Sequence, residues 1–368
     1  MKIIITHPDF DDPGGVAKYY AKLKNKFSTD VHHYVIGKRP GNSGKISSFI
    51  RILLDYWHFF LTVCNNNVRI IHLNPSLDRK SLLREGIFII ISKLFGKKVV
   101  VFFRGWHKKF EARLEKNKLW LFKRIFGKVD RIIVLSNEVK AKLREWGFTQ
   151  PIYLEVTVIE DKSVLNLDFG KILKRRKNSK KKKLLFLSRI IKQKGIYETI
   201  DALVLLNAKY SQLELVVAGD GPELENVKVY SEQKNIHNIA FPGYVKNGLK
   251  DNLLAGAYLF CFPSYGEGMP NALIEAMAFG LPAVTRMVGG IPDIFTSGKN
   301  GYGTLSKDPK VIAGLIDKLL SDTSSYETMC RTNYEYARTN FLASRAAERL
   351  DKIYQSLLPD KTVSNYTI

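Results

Sequence analysis

Short apolar, β-branched runs alternate along this chain with longer stretches of helical spacing. In the first half the runs fall at 2–6, 31–36, 69–73, 99–103, 131–135 and 152–158. Each is five to seven residues rich in Ile, Val, Leu, Phe or Tyr, the pattern of a strand buried on both faces. Between them, 16–27, 47–64, 82–95, 118–126 and 137–146 carry apolar residues at helical intervals. Repeated strand–helix units predict a parallel sheet with helices on both faces. The pattern restarts after residue 183, with strands at 184–187, 213–218, 239–241, 258–262 and 282–285. The intervening helices are read at 195–206, 223–233 and 272–279, and two amphipathic helices close the chain at 309–320 and 343–357. The tail after Pro359 is read as frayed.

Residues 171–183 hold nine Lys or Arg among thirteen. Such a like-charge block is usually solvated, and it predicts an interdomain linker. The boundaries that follow are 1–168 for an N-terminal domain, 169–183 for a basic linker and 184–342 for a C-terminal domain. A last helix and tail, 343–368, can pack back on the N-terminal domain.

Bulk composition narrows the classes. A chain of 368 residues suits two domains, and a hydrophobic content of 45% suffices for two cores. The cysteines, Cys64, Cys261 and Cys330, have no metal-ligand spacing and suggest a reducing compartment. No signal peptide or membrane-spanning run is read, so the expected location is cytoplasmic. The net charge of +23 implies an acidic partner: nucleic acid, anionic lipid or a phosphorylated small molecule. No helix-turn-helix pattern, zinc-finger spacing or aromatic ribonucleoprotein motif accompanies it, so nucleic acid is not expected.

The candidate chemistry lies at 263–282. A strand ends at Pro263. A loop with Gly266 and Gly268 follows, and a short helix starts near Pro270 or Asn271. Free N–H groups at a helix start form an anion site. Glu275 falls within the first turn or so of that helix, where its carboxylate can accept hydrogen bonds from sugar hydroxyls. Glu267 lies in the loop before it, so the two acids bracket the site.

The string Pro263-Ser264-Tyr265-Gly266-Glu267-Gly268-Met269-Pro270, continued by Glu275, Ala276, Ala278, Gly280 and Pro282, resembles the signature of the family-4 retaining glycosyltransferases. Three further blocks resemble that family in order and spacing: Arg189 to Lys194-Gly195, Gly219-Asp220-Gly221-Pro222, and Gly289-Gly290-Ile291-Pro292-Asp293. The likeness is strong over 184–301; in the N-terminal half it rests on pattern and on Pro13-Gly14-Gly15. It implies the GT-B architecture, two Rossmann-like α/β domains facing each other across a cleft. It also implies transfer of a sugar from a UDP- or GDP-linked donor to a glycan or lipid-linked acceptor, in synthesis of cell-surface polysaccharide or glycolipid.

By that resemblance Arg189 and Lys194 hold the donor pyrophosphate, where two cations stabilise a departing diphosphate. Glu275 binds the ribose. Glu267, with the backbone of Gly268, Met269, Pro270 and Asn271, contacts the sugar and phosphates. Gly219 belongs to the glycine turn, and Gly243 and Val245 to the segment beside the nucleobase. Gly14 and Gly15 face the donor phosphates. The family often carries a His after the fourth strand; here Arg104 stands in its place, with His107 three residues on. Either can act at the reaction centre, and Arg104 can instead bind an acidic acceptor.

Asp9-Phe10-Asp11 mimics a metal-binding Asp-x-Asp, but protein cations already serve the pyrophosphate, so no metal and no cofactor is expected. A sugar-nucleotide epimerase on the same fold is the alternative reading, and a basic nucleic-acid-binding protein a weaker one. Basic residues flank the apolar helices at 47–64 and 82–98, among them Lys45, Arg51, Arg79, Lys80, Arg84, Lys93 and Lys98. They favour an anionic membrane surface on the inner face of the cell membrane as a further partner.

Overall fold

The computed structural model describes residues 2–37 and 45–358, with side chains throughout except at 45–51. The side chains of Lys45 and Arg51, and the whole of residues 359–368, therefore lie outside what is described. The chain divides into two compact units, Met1–Val156 with Ala343–Ile368, and Thr157–Leu342.

Unit 1 runs β1 (Lys2–His7), α1 (Gly15–Leu23), β2 (Val31–Val35), α2 (Lys45–Cys64), β3 (Val68–Leu73), β4 (Ser76–Leu77), α3 (Arg79–Leu94) and β5 (Lys98–Phe102). It continues through β6 (Gly105–Trp106), α4 (Lys108–Asn117), α5 (Leu119–Phe126), β7 (Arg131–Val134), α6 (Asn137–Glu145) and β8 (Ile152–Leu154). The main sheet has the order β2-β1-β3-β5-β7-β8 and is parallel throughout. Its inner strands β1, β3, β5 and β7 are mostly buried, and they read as apolar runs, as strands covered on both faces do. Ile71, Val99, Val101 and Ile132 sit in one core with Phe59, Phe88 and Phe126.

Unit 2 holds α7 (Lys162–Leu165), α8 (Phe169–Asn178), β9 (Lys182–Leu187), α9 (Ile196–Asn207), β10 (Leu213–Ala218), α10 (Leu224–Gln233) and β11 (Ile239–Gly243). It ends with α11 (Asn247–Gly256), β12 (Leu259–Phe262), α12 (Asn271–Ala278), β13 (Ala283–Arg286), β14 (Gly301–Thr304), α13 (Pro309–Ser321) and α14 (Thr323–Asn340). The sheet order is β11-β10-β9-β12-β13-β14, again all parallel. Each sheet builds outward from its first strand in one direction, then returns to that strand's other side. The reversal lies between β1 and β3 in unit 1 and between β9 and β12 in unit 2. At such a switch point the loops at the strands' carboxyl ends diverge and leave a crevice for a ligand.

The last helix, α15 (Ala343–Gln355), belongs to unit 1, where it packs against α1. Its Asp351 accepts hydrogen bonds from the Ser28 backbone and hydroxyl and from the Thr29 hydroxyl. Arg349 pairs with the buried Glu155 just after β8.

The charge run at 169–183 is corrected by the structure. It is not a solvated linker: Phe169–Asn178 is α8, its N-terminus capped by Asp168, and β9 starts at Lys182. One face of α8 turns inward through Phe169, Leu173 and Arg176. The buried Arg176 guanidinium donates to the carbonyls of Leu254 (2.8 Å), Ala255 (3.2 Å) and Gly280 (3.2 Å). Two of those carbonyls end α11, where a helix dipole favours a cation. Neutral acceptors thus replace the water a buried charge would otherwise lose. The boundary between units accordingly falls at Val156, earlier than residue 168.

Candidate functional site

The switch point of unit 2 gathers the donor-site candidates. After β9 the chain makes a single 3-10 turn, Lys192–Lys194, and enters α9 through Gly195. Gly195 has φ +78°, and a Cβ there would lie 2.4 Å from the Pro263 carbonyl oxygen. Only glycine allows the two loops to meet so closely. They are joined further by the Tyr265 N–H, which donates to the Gln193 carbonyl at 2.8 Å.

Lys194 donates to Glu267 Oε1 across this junction, and the Ser264 hydroxyl donates to the same oxygen at 2.6 Å. Ser264 is fully buried, while the Glu267 side chain keeps 10% of its surface and Lys194 22%. Glu267 Oε2 has no partner among the described residues. Its position is fixed from behind as well. Gly289, at φ +60°, lies so close that a Cβ would come within 1.6 Å of the Glu267 carbonyl oxygen. The Gly290 N–H donates to the Gly268 carbonyl at 2.9 Å. The Gly-Gly turn therefore acts as a backstop for the Glu267 loop.

Pro270 caps α12 without a side-chain hydrogen bond. The first amides of α12, from Asn271 onward, are left for a ligand or solvent, which is what makes a helix start attract an anion. Gly268 is exposed; Met269 and Pro270 are buried. Glu275 is the fifth residue of α12, at the end of its first turn or so, as the sequence places it. It accepts from Lys250 of α11 at 2.7 Å through Oε1, and its Oε2 has no partner among the described residues. Both acids are thus half-engaged: one oxygen is held by a lysine and the other is open. Beside them, burial raises the Asp251 carboxyl above its ordinary range, against the pull of Lys250 and with help from Glu275.

Arg189 follows β9, is exposed and has no side-chain partner among the described residues. Gly219 follows β10 at φ +145°, where a Cβ would overlap the Ser188 carbonyl, and its N–H donates to the Gly243 carbonyl at 2.8 Å. Val245 is buried.

The other candidates lie in unit 1. The Gly14 N–H is taken by the Asp12 carboxylate at 2.7 Å, and Gly15 opens α1. Asp9 accepts from the Asp11 N–H, so this acidic pair builds a turn. Among the described residues no group of three or more His, Cys, Asp or Glu side chains could hold a metal ion. His107 is exposed at the N-cap of α4. The Arg104 guanidinium lies on the rings of Tyr19 (4.0 Å) and Phe102 (4.2 Å).

A cavity of about 300 Å³ lies at the unit 1 switch point, with His7, Asn74, Ser76, Asp78 and Arg84 in its wall. His7 Nε2 is 3.0 Å from His33 Nδ1, and burial together with His7 pushes His33 down to about 4. Sequence reading missed this pair and Lys250. No local pattern marks either, since their partners lie 26 and 25 residues away on other elements.

Two all-parallel Rossmann-like units are the elements of the GT-B architecture. Residues 171–338, within this second unit, match the model of the glycosyl transferases group 1. Among curated relatives, the chain is 33% identical over 153 residues to a 2-deoxystreptamine N-acetyl-D-glucosaminyltransferase of Niallia circulans, covering 40% of this chain and 39% of the relative. It is 28% identical over 180 residues to the capsular polysaccharide biosynthesis glycosyltransferase CapM of Staphylococcus aureus, covering 48% and 46%. The chain thus spans less than half the length of these relatives. Among solved structures, Anabaena HepE in complex with UDP superposes with a TM-score of 0.72 at 15% identity, over 97% of this chain and 100% of that one. At that identity the likeness is one of fold.

Proposed function

We propose that the protein transfers a sugar, with retention of anomeric configuration, from a UDP- or GDP-linked donor bound by unit 2 to a glycan or lipid-linked acceptor bound by unit 1. The observation that carries this reading is the Lys194–Glu267–Ser264 cluster, seated beside the uncapped start of α12. A diphosphate leaving group needs fixed positive charge where its own charge develops. Lys194, Arg189 and the α12 amides supply it. The open Oε2 atoms of Glu267 and Glu275 are acceptors, suited to hydroxyls of the donor sugar and ribose respectively. The switch-point cavity of unit 1, with Asn74, Ser76, Asp78 and Arg84, offers the polar groups an acceptor needs.

The named relatives favour transfer over epimerisation, since each is a glycosyltransferase by name, one of them for capsular polysaccharide. The HepE structures were solved with UDP, with UDP-glucose, and with UDP and glucose, which favours a uridine donor. The expected location is the inner face of the cell membrane, where nucleotide sugars meet lipid-linked acceptors. Thermal-shift titration with UDP, GDP, ADP and duplex DNA tests the reading. A ligand that binds only the folded state raises the melting temperature. Stabilisation by one nucleoside diphosphate supports it; stabilisation by DNA and by no nucleotide overturns it.

A further inference from the structure

Unit 1 carries an apolar surface that its fold does not use. Helix α3 packs against both α2 and α5: Phe88 meets Tyr56 and Phe59 of α2, and Ile125 of α5 sits against Gly86. Phe88 and Ile89 face the core. The opposite side of α3 is also apolar. Leu83, Ile87, Ile90 and Leu94 follow one another at helical spacing, all exposed, with Leu94 at 78%. On α2, Leu53, Trp57 and Leu61 form a second exposed stripe, and α5 adds Trp120 at 67%. A helix that is apolar all round belongs in a protein core or in lipid. Soluble chains show large apolar residues singly, whereas a contiguous patch marks a binding face.

Between α3, α4 and α5 the same surface opens into a groove of about 640 Å³. Its walls are Leu82, Leu114, Leu121, Phe122 and Ile125, and its rim is Arg79, Arg113 and Lys118. These three cations have no ion-pair partner among the described residues. An apolar slot ringed by free cations is complementary to a lipid with an anionic headgroup. It is poorly complementary to a second copy of this chain, which would bring its own cations against them in a protein of net charge +23. No described helix is long and apolar enough to cross a membrane.

We propose that the α2–α3–α5 face lies in the headgroup–acyl boundary of an anionic bilayer. The groove takes one acyl chain, and that lipid's phosphate meets Arg79, Arg113 and Lys118. This identifies the lipid partner of the proposed function and rests on it only for the presence of a lipid-linked acceptor nearby.

The test uses the full chain with vesicles of phosphatidylglycerol and phosphatidylcholine, against phosphatidylcholine alone. The protein sediments with the anionic vesicles, its tryptophan emission shifts to the blue, and brominated lipid quenches it. Replacing Trp57 and Trp120 by Phe removes that quenching. Leu83→Glu with Leu94→Glu weakens partitioning by about tenfold or more for each leucine charged. Arg113→Glu with Lys118→Glu abolishes the preference for anionic vesicles. Circular dichroism and the nucleotide-induced thermal shift, read on the same samples, report whether each variant is folded and binds donor. Wild type left in the supernatant at low salt overturns the proposal, as does wild-type partitioning by the leucine variant. A concentration-dependent dimer that buries Trp57 and Trp120 assigns the face to a second copy and overturns it too. A lost nucleotide shift with vesicle binding intact counts against the transferase reading alone.

Discussion

Lys194 and Glu267, 73 residues apart in the chain, meet as an ion pair at the point where the second sheet reverses its strand order. The pair is held by glycine at both ends, Gly195 against Pro263 and Gly289 against Glu267. In the free protein the lysine is neutralised by the acid. Under the proposed function, a bound diphosphate would share the Lys194 charge, and the open Oε2 of Glu267 would accept from the donor sugar.

Replacing Lys194 by Ala should lower donor turnover by roughly 10²–10³-fold, the scale for removing one preorganised charge-stabilising donor. Glu267→Gln should keep the loop folded, because Ser264 can still donate to the amide oxygen, yet lose much of the turnover. Steady-state donor hydrolysis, with circular dichroism as the fold control, checks both. Wild-type rates in Lys194→Ala contradict the assignment.

Lys250 should act through Glu275. Lys250→Ala leaves that carboxylate without its partner, so the donor KM rises by roughly fivefold to tenfold, the net worth of one ordinary hydrogen bond. The kcat changes little, because the interaction is equal in ground and transition states. A fall in kcat with unchanged KM would place Lys250 at the reacting atoms instead.

Gly289→Ala tests the backstop. A left-handed conformation costs a residue with a Cβ about 1–2 kcal/mol, and the overlap with the Glu267 carbonyl adds to that. The variant should melt several degrees lower and bind nucleotide more weakly, because the Glu267 loop must move. Gly266→Ala, where a Cβ meets nothing within 4 Å, should do neither.

Acid should loosen unit 1. His72 is buried between Tyr354 (2.7 Å) and Tyr20 (3.1 Å), and burial with the nearby Arg104 charge pushes it down to about 3. In the unfolded chain it titrates at the ordinary value of 6.5. Below that pH the unfolded state takes up the proton first, so stability is intact above pH 6.5 and falls steadily toward pH 3. His33, pushed down to about 4, adds a second contribution of the same sign. Urea midpoints at pH 7.5, 5.5 and 4.5 should fall less in His72→Gln than in wild type. Parallel falls would show that His72 does not contribute.

Much of this was legible in the sequence, and the failures have physical causes. The parallel strands read clearly because burial on both faces leaves uninterrupted Ile, Val and Leu. The loop strings at Gly195, Gly219 and Gly289 read clearly because close backbone approach admits only glycine. Helix α8 was hidden because its inward stripe is Phe169, Leu173 and an arginine, inside a run of lysines. Helix α14 was hidden because its buried stripe is Tyr326, Met329, Cys330, Asn333, Tyr334 and Ala337, and Asn333 is satisfied by distant groups, the carbonyls of Leu281 and Asn300 and the Asn300 side-chain amide. Helix α11 begins Asn247-Gly248, which reads as a turn, and Asn247 does adopt φ +51°. The Lys250–Glu275 pair depends on how α11 and α12 pack, which no local spacing encodes.

The most direct test is to incubate the protein with a panel of UDP- and GDP-linked sugars and follow the released sugar or transfer product by NMR from the first minutes. One donor should be consumed, and the first-formed product should carry the donor's own anomeric configuration. A first-formed product of the opposite anomer, or a panel left wholly unconsumed in the presence of lipid and glycan acceptors, would contradict it.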